Sequence, residues 1–132
     1  MIDTVLRVFG GQYDVNALLA EFGQGLQAEA FIQGEPDLFG APNIDSGFDA
    51  LVSENPAPEN NVNDIRLFLE NNSSLFEFLK TAGATCIVDV AYSVASTDQN
   101  APSLCLPVDV LGLCYQCNVA VELSVFSAIE HE

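Results

Sequence analysis

Hydrophobic residues make up 49% of this 132-residue chain and charged residues only 17%, a composition that predicts one folded domain and excludes intrinsic disorder. The charge is unbalanced, since 19 acids against 3 bases give a net charge of −16 at pH 7. Binding to nucleic acid or to an anionic membrane surface needs clustered Lys and Arg, so we expect neither as a partner.

The first part of the chain predicts a strand, a helix and a second strand. Residues 4–9 are rich in β-forming side chains and run into two glycines. Asp14 then caps a helix that ends at Gly23. The apolar stripe of this helix consists of Val15, Leu18, Leu19 and Phe22. Residues 26–33 alternate weakly between apolar and polar side chains and predict the second strand.

Residues 34–61 have the composition of an acidic loop. They contain four prolines, three glycines and six acids without a single Lys or Arg. Residues 48–53 are the exception, because their apolar side chains predict a short strand. An irregular segment of this length in a small domain is usually functional or mobile.

Two short helices are predicted next. Residues 65–69 and 75–79 each carry apolar side chains at helical spacing, with polar residues between them. Ser74 and Glu77 have the spacing of a capping box, which favours two helices over one long helix. Gly83 ends the second helix.

The last third of the chain predicts strand, helix and strand. Residues 84–95 alternate most clearly, and their apolar face consists of Cys86, Val88, Val90, Tyr92 and Val94. Pro107 fits the first position of a helix. The residues of this helix that we expect to point inward are Val110, Leu111 and Cys114. Residues 119–126 alternate again and predict the final strand.

The element order is therefore β-α-β-β-α(α)-β-α-β, in one domain that spans residues 1–132. Its first six elements, with the paired helices counted once, match the split β-α-β pattern of ferredoxin-like sandwiches. We expect a two-layer α+β sandwich: a ferredoxin-like β-α-β-β-α-β core with an added C-terminal helix and strand. The helices should cover one face of a mostly antiparallel sheet.

Three segments carry a resemblance to known proteins. Residues 6–23 hold a strand, a glycine, an Asp-led helix and a glycine in that order; S-G-F-D-A-L occupies residues 46–51, and L-P-V-D-V-L-G-L-C-Y-Q-C-N-V-A-V-E-L-S-V-F residues 106–126. Together they resemble a small bacterial family of proteins of unknown function, over roughly residues 6–126. Such proteins resemble immunity or accessory proteins encoded near toxins. The resemblance implies protein binding and supplies no catalytic residue.

Cys114 and Cys117 form the most reactive-looking motif, Cys-Tyr-Gln-Cys. A redox pair of this spacing favours a helix N-terminus, where the helix dipole stabilises a thiolate, yet here it lies in the last predicted turn. We therefore expect buried, reduced cysteines and keep a thiol oxidoreductase as an alternative. A zinc site needs four ligands, but Cys86 and Cys105 form no second close pair and His131 is next to the last residue. We expect no metal, cofactor or catalytic residue.

Arg7 is the only base in a predicted strand, and alternation places it opposite the apolar face of that strand. Asp89 and Glu122 occupy the matching faces of two later strands. We expect Arg7 to pair with one or both of them, on the sheet face without helices. The predicted interaction face consists of Arg7, Phe9, Ile87, Asp89, Glu122 and Phe126. A purely structural ion pair is the alternative.

These features predict a non-enzymatic interaction protein, an immunity-type binder of a basic protein partner such as a nuclease toxin. A small-ligand sensor that uses the sheet or a dimer interface is an alternative, and acidity that serves only solubility is another. The oligomeric state is left open, a homodimer included. The acidic start and the lack of a long apolar stretch predict a cytoplasmic location.

Overall fold

A computed structural model describes residues 2–95 and 103–128; His131, considered above as a metal ligand, lies outside them. The described residues form strands and helices in the predicted order. These are β1 (Ile2–Phe9), α1 (Val15–Phe22), β2 (Ala28–Phe31), β3 (Gly47–Ser53), α2 (Pro58–Asn71), α3 (Ser73–Ala82), β4 (Thr85–Ala95), α4 (Val108–Gln116) and β5 (Val119–Ala128).

The strands form one open mixed sheet in the order β2-β3-β1-β4-β5. The β2–β3, β3–β1 and β1–β4 pairs are antiparallel, whereas β4 and β5 are parallel. Because β1 and β2 are both antiparallel to β3, they run in the same direction with β3 between them. A parallel neighbour requires a crossover connection, and α4 supplies it between β4 and β5. The fold is α+β.

All four described helices pack on one face of the sheet, as predicted. Alternate residues of β1 are buried against them, and one hydrophobic core joins all four helices to β1, β3, β4 and β5. The first helix begins and ends as its sequence predicts: the Asp14 carboxylate accepts a hydrogen bond from the Ala17 N–H at 3.1 Å, and Gly23 is the C-cap. Among the described helices, none has the length and apolar character needed to span a membrane.

One polar pair crosses the core between sheet and helix. Thr4 of β1 and Asn61 of α2 are both fully buried, and the Thr4 hydroxyl donates to the Asn61 side-chain oxygen at 2.6 Å. The Asn61 amide in turn donates to the main-chain oxygens of Asn55 at 3.1 Å and Ile2 at 3.4 Å. A buried polar side chain is tolerated here because each of these groups has a partner.

The segment predicted as an acidic loop is more ordered than its composition suggests. The second helix already begins at Pro58, since proline at the first helical position has no N–H that needs a partner. Residues 32–46 fold back on themselves, with the Gly34 N–H donating to the Asn43 oxygen at 2.9 Å. The Asp37 carboxylate holds the tip by accepting from two main-chain N–H groups, of Phe39 and Ala41. The second strand shrinks to Ala28–Phe31.

Two predicted details of the later helices are wrong. The N-cap of the third helix is Asn72, two residues before Ser74, where the capping box predicted it. The Asn72 side-chain amide donates back to the Phe68 main-chain oxygen at 2.9 Å. In α4, Val110 is buried but Leu111 is 47% exposed. Adjacent helical residues differ by about 100° in direction, so only one of these two neighbours can face the core.

Candidate functional site

The sheet face that carries no helices is strongly acidic. Side-chain alternation places one carboxylate from every strand on it: Asp3, Glu29, Asp49, Asp89 and Glu122. Arg7 is the single base on this open face, because the other two bases of the chain, Arg66 and Lys80, lie on helices. Five carboxylates against one base give this face a net negative charge.

Arg7 makes the predicted ion pair with both carboxylates. Its Nη2 lies 2.9 Å from a Glu122 oxygen and 3.2 Å from an Asp89 oxygen. Ser124 completes the group by donating its hydroxyl to Asp89 at 2.9 Å. Because the Arg7 side chain is 40% exposed, water screens these pairs and each contributes only roughly 0.2–1 kcal/mol to stability.

Asp49 and Glu29 form the other half of the open face, and they have no such partner. Asp49 lies opposite Arg7 in the β1–β3 register and opposite Glu29 in the β2–β3 register. Partial burial raises the pKa of the Asp49 carboxyl; the positive charge of Arg7 opposes this shift and the negative charge of Glu29 adds to it. Among the described residues neither carboxylate has a base within ion-pair distance.

Two shallow depressions border Asp49. One of about 410 Å³ is lined by Val5, Leu51, Glu29 and the edge of β2. The other, of about 330 Å³, is lined by two aromatic rings, by Arg7 and by the turn that leads into β3; the aromatic residues are Phe9 and Phe31. Both are at the small end of the roughly 300–1,000 Å³ range of ligand pockets. In the second depression Asp49 lies beside the aromatic residues, and carboxylates beside aromatic rings suit guanidinium and ammonium groups.

The predicted face residues are only partly clustered. Phe9 lines the same depression as Arg7, and Ile87 is the β4 neighbour of Arg7 in register. Phe126 pairs with Ser93 instead, four residues beyond Glu122 and so about 13 Å farther along the strand. The prediction that Phe126 surrounds the ion pair is therefore wrong, although it lies on the same face.

Sequence reasoning missed the Glu29–Asp49 pair. Alternation within residues 48–53 already places Asp49 on the polar side of its strand. What the sequence does not contain is the register, which sets Asp49 between Arg7 and Glu29. That register follows from the pairing of three strands that are distant along the chain.

The cysteines divide into three buried thiols and one exposed thiol, all free. Cys86, Cys114 and Cys117 are buried as expected, whereas Cys105 is exposed, which corrects the prediction that all four are buried. Cys105 lies in the irregular segment that leads to α4, outside the core. Burial raises the pKa of Cys86 to about 11 and also raises the pKa values of Cys114 and Cys117. Such thiols are poor nucleophiles near neutral pH.

The part of the chain that the structure describes contains no group of side chains arranged as a metal site. No three His, Cys, Asp or Glu side chains there are grouped so that they could hold a metal ion. The open-face carboxylates are instead spread across five strands. This arrangement suits contact with a charged surface.

No protein-family model matches the chain, and neither a curated protein nor a solved structure is significantly similar to it.

Proposed function

We propose that this protein is a non-enzymatic interaction protein that binds a basic protein partner through the open face of its sheet. The single observation that supports this most is the Glu29–Asp49 pair, two carboxylates opposite each other that have no base of the described residues within ion-pair distance, although Arg7 faces Asp49 from β1. Like charges directly opposite on a sheet destabilise the fold. A Lys or Arg of the partner would remove that cost on binding.

The net charge of −16 extends this argument from the pair to the whole surface. A highly acidic protein attracts a basic partner over distances of about a Debye length, and this length grows as salt is removed, so the association rate rises at low ionic strength. An immunity protein that neutralises a basic toxin, such as a nuclease, has this requirement. The resemblance of residues 6–126 to immunity-like bacterial proteins supports the same role. We place the interaction in the cytoplasm.

We assign the fold of the binding domain to the ferredoxin-like class. The order β2-β3-β1-β4, antiparallel throughout, with α1 and the α2–α3 pair on one side, supports this assignment. In that arrangement α4 and β5 are an addition at one edge. The open face then presents the central strands β1 and β3 to the partner.

The proposal is tested by capture followed by titration. The chain is immobilised, the basic proteins that it retains from source cells at low ionic strength are identified by mass spectrometry, and each is purified and titrated. The test variant is Glu29→Gln with Asp49→Asn, which removes both unpaired carboxylates. We expect it to weaken binding by about tenfold or more, and moderate salt to weaken wild-type binding.

The matched control is Glu21→Gln, which removes a carboxylate from the exposed surface of α1. It should leave the affinity unchanged. Retention of no basic protein, equal losses in test and control variants, or salt-independent binding would each overturn the proposal.

A further inference from the structure

The edge of the sheet formed by β5 is unusually apolar. β4 is its neighbour on one side, and no described strand lies on the other. Four of its large side chains are exposed: Val121 at 38%, Leu123 at 59%, Val125 at 64% and Phe126 at 56%. Natural edge strands are protected against pairing by charged side chains, above all lysine, by proline or by a bulge. The single charged residue of β5, Glu122, is paired with Arg7. Residues 119–128 contain no lysine or proline, and their register with β4 is continuous.

The outermost helix adds a second apolar strip along this edge. Val108, Leu111 and Tyr115 of α4 are exposed and follow the i, i+3, i+7 spacing of one helix face. Asp109, on a different face, forms an ion pair with Arg66 of α2 at 3.1 Å. At about 100° per residue, the strip points away from Asp109 and therefore away from α2. Since α2 packs against β1 and β3 whereas α4 packs against β5, we infer that the strip lies on the β5 flank.

The charges of this region are paired, which sets it apart from the rest of the molecule. Residues 103–128 contain two acids and no base. Asp109 is paired with Arg66, and Glu122 is paired with Arg7. Two of the three bases in the chain therefore form ion pairs with the only acids of α4 and β5. The described part of this edge therefore carries little unpaired charge that would repel a second acidic copy.

We propose that a second copy of the chain docks on this edge, so that β5 of each copy pairs antiparallel with β5 of the other. A twofold axis perpendicular to the sheet relates the two copies. It keeps the helices of both copies on the same side of the sheet, because the side chains of directly opposite residues in an antiparallel pair lie on the same face. The sheet then continues across ten strands, and the α4 strips of the two copies face each other. The open acidic faces stay free for the partner proposed above.

The side chains select the register. With the axis at Leu123, the helix-side pairs are Leu123 with Leu123 of the second copy and Val121 with Val125. On the open side, Glu122 then faces Ser124. An axis at Glu122 would set two carboxylates opposite each other, which is destabilising. An axis at Ser124 would set Val121 opposite Ser127 and lose an apolar pair.

The oligomeric state tests the proposal. We expect sedimentation of the wild-type chain to give twice the 14.1 kDa mass of one chain, with dissociation on dilution. Leu123→Lys and Tyr115→Glu should each shift the equilibrium toward the monomer by about tenfold or more. Since Tyr115 is 87% exposed, its replacement does not disturb the core. The control, Leu38→Lys, changes a residue that is 99% exposed on the distant turn and should remain dimeric.

Cross-linking tests the register. In a Cys105→Ser background, Leu123→Cys brings two thiols together at the axis and should form an intermolecular disulfide with a copper(II) oxidant. Ser127→Cys lies on the same strand, but its two copies would be about 26 Å apart, so it should not cross-link. Cross-linking of both variants alike would overturn this register.

A monomer at all concentrations, or a dimer that survives both Leu123→Lys and Tyr115→Glu, would overturn the docking of a second copy. Salt separates this result from the proposed function. Dimerisation through an apolar edge should persist or strengthen in salt, whereas binding of a basic partner should weaken. The Glu29→Gln, Asp49→Asn variant should remain dimeric whatever its effect on partner binding.

Discussion

At Asp49 a carboxyl faces Arg7 on one neighbouring strand and Glu29 on the other. Partial burial raises its pKa above the ordinary value; the positive charge of Arg7 opposes this shift, and the negative charge of Glu29 adds a smaller contribution to it. A carboxyl whose folded-state pKa is raised destabilises the fold when it is ionised. That penalty appears as the pH rises through the interval between the unfolded-state and folded-state pKa values.

Replacement of Asp49 by Asn should therefore stabilise the protein at pH 7. We expect a gain of roughly 0.2–1 kcal/mol in the free energy of unfolding, the usual size of a cross-strand charge effect. The gain should disappear below about pH 3.9, where Asp49 is protonated in both folded and unfolded states. Urea denaturation across this pH range measures it. Destabilisation at pH 7, or a gain that does not change with pH, would contradict this account of Asp49.

Accessible thiols provide a second test at single residues. Cys105 is exposed, whereas the other three cysteines are buried, and burial raises the pKa of Cys86 to about 11. A water-soluble thiol reagent should label one cysteine quickly in the native protein and all four after unfolding. Cys105→Ser should abolish the fast phase. Fast labelling of more than one cysteine in the native wild type would show that reagent reaches Cys86, Cys114 or Cys117, and would contradict their burial.

At the scale of the elements, Gly47 at the start of β3 packs tightly against β1. A Cβ atom at this position would collide with the Val8 main-chain oxygen and the Phe31 ring. The collision involves backbone, so it cannot be relieved by a rotamer change. Only glycine allows β3 to begin in this register, which in turn brings Asp49 opposite Arg7.

Gly47→Ala should therefore destabilise the protein by roughly 1–3 kcal/mol or more, the cost of overpacking. The same substitution at Gly112 in α4 meets nothing within 4 Å and should stabilise by about 1 kcal/mol, because alanine favours a helix over glycine. Thermal or urea denaturation of the two variants measures these opposite effects. If Gly47→Ala were as stable as Gly112→Ala, the close contact of β1 with β3 would be disproved.

Local patterns predicted the elements well where the signal lies within a few residues. Asp14 and Gly23 bound α1, and the alternation around Val88 defines β4. The errors occur where the bounds or the burial of a residue depend on packing against another element. The second strand is limited to the four residues that pair with β3, and Leu111 is exposed because none of the described helices lies beyond α4 on that flank. Pro58 looked like a loop residue, although it begins α2.

At the scale of the whole molecule, the net charge of −16 opposes compaction. Added monovalent salt screens the repulsion between carboxylates, so it should raise the melting temperature at pH 7. Differential scanning calorimetry at low and moderate ionic strength measures this shift. Near pH 4.1, the isoelectric point that the sequence implies, the net charge is small and the salt effect should largely vanish. A melting temperature at pH 7 that falls with salt would show that the ion pairs of Arg7 and Arg66 outweigh the general repulsion.

The sequence by itself determined the order of strands and helices, the acidic balance and the placement of Arg7, Asp89 and Glu122 on one face. These properties depend on composition and on periodicities of two or 3.6 residues, which are local. Only the tertiary structure decided which strands are neighbours. Strand register joins residues far apart in the chain, so it alone brings Glu29 opposite Asp49 and places the apolar β5 at the edge of the described sheet. Both proposed surfaces depend on that pairing, because the sequence of a single strand does not specify which strands are its neighbours.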